Sequence, residues 1–258
     1  MNQQKTSDAI STTASALPLK DQRVVIVGGT SGMGLGAARA AASAGAHVIV
    51  AGRRGIAERE ATSSADRFEH VVLDVTDEAA VHACFEAIGE LHHLFVTATP
   101  SAELKPFLEQ DFASAQRFMN GKFFGSLACA LHAAPRTRAG GSITFLTGCA
   151  SIRPSRGRAM ATATFAALEA LSQSLALELG PLRVNTIRPG VIDSDMWDFL
   201  DEAQRKQFRT TVAKTMPAGR IGHIEDIGHA AVFLMTNPYV TGAVLEVSGG
   251  EPLITLDL

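Results

Sequence analysis

Short runs rich in β-branched residues recur along the chain, each separated from the next by a longer segment rich in alanine and leucine. They are RVVIV from 23, AHVIV from 46, HVVLD from 70, HHLFV from 92, SITFL from 142, LRVNTI from 182 and AVLEV from 243. Between them, helical patterns fall near 34–44, 76–88, 107–133, 158–179 and 224–236. Parallel neighbours need crossover connections, and helices supply them. The alternation therefore predicts an α/β fold with a sheet of about seven parallel strands and helices on both faces. The 258 residues suit one such domain, expected over 21–258. Residues 1–20 read as a flexible extension, because TSDAISTTASALP has no apolar period and ends in a proline. The polar helical stretch 194–220 interrupts the alternation. It reads as a lid over the strand ends and carries the only tryptophan, Trp197.

Composition excludes several classes of function. Hydrophobic residues make up 46% and charged residues 19%, too apolar for a disordered chain. With 23 Lys and Arg against 26 Asp and Glu, the net charge of −3 offers no basic excess for nucleic acid. No apolar run is long enough to span a bilayer and no secretory segment opens the chain, so a soluble cytoplasmic protein is expected. Cys84, Cys129 and Cys149 are scattered and odd in number, which suggests neither a disulfide framework nor a zinc site. His82, His92, His93, His223 and His229 form no metal-ligand spacing, and no metal is assigned.

The first strand runs straight into VGGTSGMG, residues 27–34, and then into a helix of small residues that Gly45 ends. Each glycine has a physical reading. Gly28 permits a tight turn out of the strand, and Gly32 lets backbone approach a pyrophosphate. Gly34 lets the helix pack closely while its N-terminal amides face the anion. At the end of the second strand, where a carboxylate would accept from a ribose 2′-hydroxyl, the chain has AGRR. Arg53 and Arg54 suit a 2′-phosphate instead, so NADP(H) is the expected cofactor.

The spacing G-x-x-x-G-x-G after the first strand resembles the short-chain dehydrogenase/reductase family, a Rossmann-type, doubly wound group. LDV at 73–75, RVNTIRPGVIDS at 183–194 and RIGHIEDIGHAAVFLMTNPYVTGAVLEVSGG at 220–250 resemble further family segments in the right order. The resemblance implies cofactor contacts from Gly28, Thr30, Ser31, Gly32, Met33 and Gly34. It implies others from Asp74 and Val75, from Thr97, Ala98 and Thr99, and from Pro189 and Gly190. Ile192 and Ser194 would hold the nicotinamide carboxamide. It also implies a small-molecule substrate and a homodimer or homotetramer paired through the long helices and last strand.

The family's proton-transfer residues are missing. Aligning on LSQSLALEL at 171–179 places Ala161 at the family's tyrosine, Phe165 at its lysine, Gly148 at its serine and Lys122 at its asparagine. The one tyrosine, Tyr239, lies in NPYVTG before the last strand. Two hypotheses follow. In the first the protein is an NADP(H)-dependent oxidoreductase with an atypical proton source, acting on a small carbonyl, enone or imine compound. In the second it is a catalytically inactive NADP-binding scaffold, sensor or partner subunit. Lys122 is the candidate catalytic residue, with a solvated lysine on an amphipathic helix as the alternative. Cys149 reads as a buried thiol or a pocket lining. Arg153, Arg156 and Arg158 read as solvated charge or as selectors of an acidic substrate. His132 is expected to complement the C-terminal dipole of the 107–133 helix, and Asp193 and Asp195 are expected to be solvated.

Overall fold

The computed structural model describes residues 17–53, 68–100 and 105–254. The strands of the main sheet are β1 (Arg23–Val27), β2 (His47–Gly52), β3 (Glu69–Val72), β4 (Leu91–Val96), β5 (Thr137–Leu146), β6 (Arg183–Pro189) and β9 (Val244–Val247). All pair in parallel, in the order β3-β2-β1-β4-β5-β6-β9. The strand order reverses between β1 and β4, and in sheets of this kind the ligand crevice opens at the carboxyl ends of the strands there. A separate pair, β7 (Ile192–Asp193) and β8 (Gly222–His223), staples the segment after β6.

The central strands are buried on both faces, as their unbroken apolar runs require. Helices α1 (Gly32–Ser43) and α7 (Ile224–Thr236) cover one face. Helices α2 (Glu78–Ile88), α4 (Gly125–Ala133) and α5 (Ala159–Glu178) cover the other. Gly36 and Gly228 let α1 and α7 touch backbone to backbone: a Cβ on Gly228 would stand 2.6 Å from the Gly36 carbonyl oxygen. The 194–220 stretch holds a short 3-10 turn, Asp195–Trp197, and the helix α6 (Glu202–Thr215), begun by a capping box of Asp201 and Gln204. No helix of the described residues is long and apolar enough to cross a membrane.

Two expected boundaries change. Residues 17–20, assigned to the extension, form a turn in which Leu19 is fully buried and its amide donates to the Ala44 carbonyl at 2.9 Å. The 107–133 helix is broken. Helix α3 (Phe112–Met119) starts at Asp111, whose carboxylate accepts from the Ala113 and Ser114 amides, and one π-helical turn, Asn120–Phe124, joins it to α4. His132 stands in the last turn of α4, at the helix end where it was expected, and its Nε2 also lies 2.6 Å from the Glu78 carboxylate on α2.

At the opposite end of the sheet His93 is enclosed between Ser142 Oγ, 2.8 Å away, and Gln22 Oε1, 2.7 Å away. Burial, with the Arg183 charge adding to it, draws its imidazole down to about 3. His93 is thus a neutral structural group far from the crevice.

Candidate active site

The chain leaves β1 through a turn that only glycine can make. Gly28 has φ +86°, and a Cβ there would stand 2.6 Å from the Ala98 amide nitrogen. Thr97 closes the turn from β4, its amide and hydroxyl both donating to the Val27 carbonyl at 2.8 and 3.0 Å. A Cβ on Gly34 would lie 2.1 Å from the Gly28 carbonyl oxygen, so α1 sits directly on the turn. Ser31 precedes α1 in extended conformation and makes no side-chain cap, which leaves the first-turn amides to another acceptor. Thr30, Ser31, Gly32 and Met33 are all partly exposed at this mouth. Gly32, φ +50°, turns the place of its absent Cβ toward the far end of one side chain, with Asp195 Oδ1 at 2.6 Å. A glycine facing open backbone amides beside a movable group fits a diphosphate.

At the far end of the crevice Arg53 follows Gly52 and is exposed. Arg54 lies outside the described residues. Asp74 faces Arg53, and its carboxylate accepts from the Thr76 amide at 2.9 Å and hydroxyl at 2.8 Å. Those bonds, with a smaller contribution from Arg53, hold its carboxyl below the usual range. Val75 reaches the helical layer because Gly125 has no side chain: a Cβ there would be 2.7 Å from the Val75 methyl. Thr99, beyond β4, is exposed and donates to the Thr97 carbonyl at 3.0 Å.

On the opposite wall, Pro189 ends β6 and Gly190 turns the chain into β7. Ile192 and Ser194 are buried. The Ile192 carbonyl accepts from Trp197 Nε1 at 2.8 Å and the Ser194 carbonyl from Arg205 at 3.0 Å. Asp193 is not solvated as expected. Arg205 from α6 holds it at 3.0 Å and Arg209 at 2.6 Å. Those guanidinium bonds outweigh the effect of burial and keep its carboxyl low. Trp197 packs on Phe208 of α6, ring centres 4.4 Å apart and planes tilted by 41°, joining α6 to this wall.

The four positions that depart from the resemblance lie on the side of β5 and α5. Lys122 sits in the π-helical turn with 0% exposure, which removes the solvated alternative. Its Nζ donates to the Ala98 carbonyl at 3.2 Å, and burial draws it down to about 7. Ala161 is buried in the first turn of α5. The Phe165 ring packs into the space beside Gly148, where a Cβ would stand 3.1 Å from it. Tyr239 is 97% exposed.

Sequence reasoning missed the ionic group behind this wall. Glu169 of α5 pairs with Arg188 of β6 at 2.6 Å, the two side chains 10% and 13% exposed. Glu169 also accepts from Thr147 at 2.9 Å and Ser151 at 2.8 Å, pinning both sides of Gly148. The available signal was a charged residue closing an apolar strand, Arg188, which requires a buried partner. Cys149 is buried, and burial pushes its thiol up to about 12. The three arginines after it divide. Arg156 is exposed, whereas Arg153 is half-buried and donates to the Glu251 carbonyl. Arg158 is half-buried too, its charge opposing the upward push that burial gives the Glu251 carboxyl. Among the described residues no cluster of histidine, cysteine and carboxylates could hold a metal.

Comparison with known proteins gives one consistent result. The family described as Enoyl-(Acyl carrier protein) reductase matches residues 27–251. A short-chain dehydrogenase/reductase of Acremonium sp, ucsE, is 29% identical over 93% of this chain and 98% of its own. A small-chain dehydrogenase solved in complex with NADPH is 30% identical, covering 91% of this chain and 100% of its own, with a TM-score of 0.79. An NADPH-bound short chain oxidoreductase from Pseudomonas aeruginosa PAO1, described as containing an atypical catalytic center, is 28% identical over 90% of this chain and 98% of its own, with a TM-score of 0.81.

Proposed function

Within the short-chain dehydrogenase/reductase family, to which the chain belongs, we propose that this protein is an NADP(H)-dependent oxidoreductase acting on a small carbonyl, enone or imine compound. The observation that carries the reading is the glycine turn against an uncapped α1, with Arg53 following Gly52 at the ribose end. Gly28, Thr30, Ser31, Gly32, Met33 and Gly34 would border the diphosphate. Arg53 and Arg54 would meet the 2′-phosphate, and Asp74 and Val75 the adenine. Thr97, Ala98 and Thr99 would line the ribose, with Pro189, Gly190, Ile192 and Ser194 at the carboxamide. When bound, NADPH supplies the hydride. The wall formed by Pro189 and Gly190 orients the acceptor, and α6 excludes water.

Lys122 is the group assigned to hold the proton, because its Nζ meets the Ala98 carbonyl just beyond β4 and burial draws it down to about 7. Orientation of reactants supplies roughly 7–11 kcal/mol of a barrier, and a positioned acid about 10²–10⁴ in rate. An electron-poor acceptor therefore reacts without the family's tyrosine. The ammonium is the donor, so turnover falls as pH rises through about 7. Replacing Lys122 by Met lowers turnover about 10²-fold and removes that limb of the profile; an unchanged rate takes Lys122 out of the mechanism.

The Phe165 ring against Gly148 favours a second reading, an inactive NADP-binding scaffold, sensor or partner subunit. Anaerobic incubation with NADPH and a panel of ketones, enones, quinones and imines separates the two. Loss of nicotinamide absorbance with any class supports the enzyme. Confirmed binding with no loss across all classes supports the scaffold. The proposal includes a cytoplasmic homodimer or homotetramer, in which exposed Leu131 of α4 and Leu177 of α5 would be covered.

A further inference from the structure

The turn after β1 holds an anion of the chain's own. On the reading above, Gly32 lacks a side chain so that a diphosphate can approach its backbone, and the Asp195 carboxylate stands in that approach. Oδ1 stands 2.6 Å and Cγ 3.6 Å from the place of a Gly32 Cβ. Helix α1 has no acidic residue in its first turn and no side-chain cap. The carboxylate makes no hydrogen bond to these amides; it lies beside them as the nearest negative charge to the positive end of the helix dipole.

We propose that Asp195 is a placeholder for the diphosphate, expelled when the cofactor seats, and that its expulsion carries cofactor entry to the lid. The inference rests on the dinucleotide-binding reading above and deepens it. A diphosphate passing over Gly32 would meet the Asp195 carboxylate at close range and be repelled by it, so cofactor affinity is what remains after the carboxylate has been moved. The movement has room and a route. Asp195 is exposed, and a cavity of about 270 Å³ bordered by Gly32, Arg39, Asp195 and Arg205 opens beside it. Asp195 also begins the turn that ends at Trp197, whose indole is bonded to Ile192 and packed on Phe208 of α6. Arg205 of α6 grips Asp193, Ser194 and Asp198 on both sides of Asp195. A shift of Asp195 is therefore felt by the helix on one side and the carboxamide-holding backbone on the other.

Fluorescence titration with NADPH tests the assignment in wild type, Asp195→Asn and Asp195→Glu. Asn keeps the shape and loses the charge, so binding tightens at least fivefold. Glu keeps the charge, so binding does not tighten. An Asn variant that binds no better than wild type, or a Glu variant that gains as much as Asn, overturns the proposal while the cofactor reading stands. Wild type that binds neither NADPH nor NADH removes both. Hydrogen exchange over 202–215 reads the coupling directly. NADP⁺ changes exchange in wild type, and the Asn variant alone already shows part of that change. Identical exchange in wild type with and without NADP⁺ refutes the link to α6.

Discussion

The turn after β1 and the wall formed by α4 and α5 face one crevice, yet they place different demands on the chain. The turn works through backbone. Its requirements are a left-handed φ at Gly28, the absence of a Cβ at Gly34 and free amides at the start of α1. No other residue type meets them, so they leave a fixed mark in the sequence. The wall works through side chains, and side chains can be exchanged in compensating sets without disturbing the fold. Gly148 and Phe165 are such a set, one giving up the volume that the other fills. A strand end and a helix can thus keep their packing while their chemistry is replaced.

The contrast is broken most severely at the turn itself. Gly28→Ala forces a Cβ to within 2.6 Å of the Ala98 amide at φ +86°. It is expected to cost about 3 kcal/mol of stability and more than 100-fold in NADPH affinity, read by thermal melting and titration. An alanine variant of normal affinity would show that the turn is not a backbone device. Smaller is the effect of Arg53→Met. It should weaken NADPH about tenfold, roughly 1.4 kcal/mol, and leave NADH unchanged. Equal losses for both would mean that Arg53 does not read the 2′-phosphate. Smallest is Gly148→Ser on the other wall, where the Phe165 ring must give by a few tenths of an ångström. A cost of about 1 kcal/mol is expected, a fall of roughly 2–4 °C in melting temperature, which Phe165→Leu restores in the double variant. If the second change adds to the first, the two positions are not a matched pair.

This division also explains what could be read from the chain beforehand. Every β-branched run became a strand of the main sheet; the central ones are apolar throughout because they are buried on both faces, while the edge strands β3 and β9 are only partly covered. The glycines of the first turn were legible for the reason already given. The break in the 107–133 helix was not, since α3 and α4 run on through the π-helical turn with no proline between them to mark it. Its local marks were the Asp111 cap and Gly121, where a Cβ would meet Pro100 at 2.4 Å. Glu169 and Arg188 come from different elements and meet only when α5 lies on β6. Asp195 reads as an ordinary loop carboxylate until the fold carries it across to Gly32.

Trp197 gives the molecule an intrinsic optical probe. As the one indole in the chain, wedged between the Ile192 carbonyl and the Phe208 ring, it assigns its entire emission to a single joint. A change in colour or intensity reports the surroundings of that one side chain, with no dye attached.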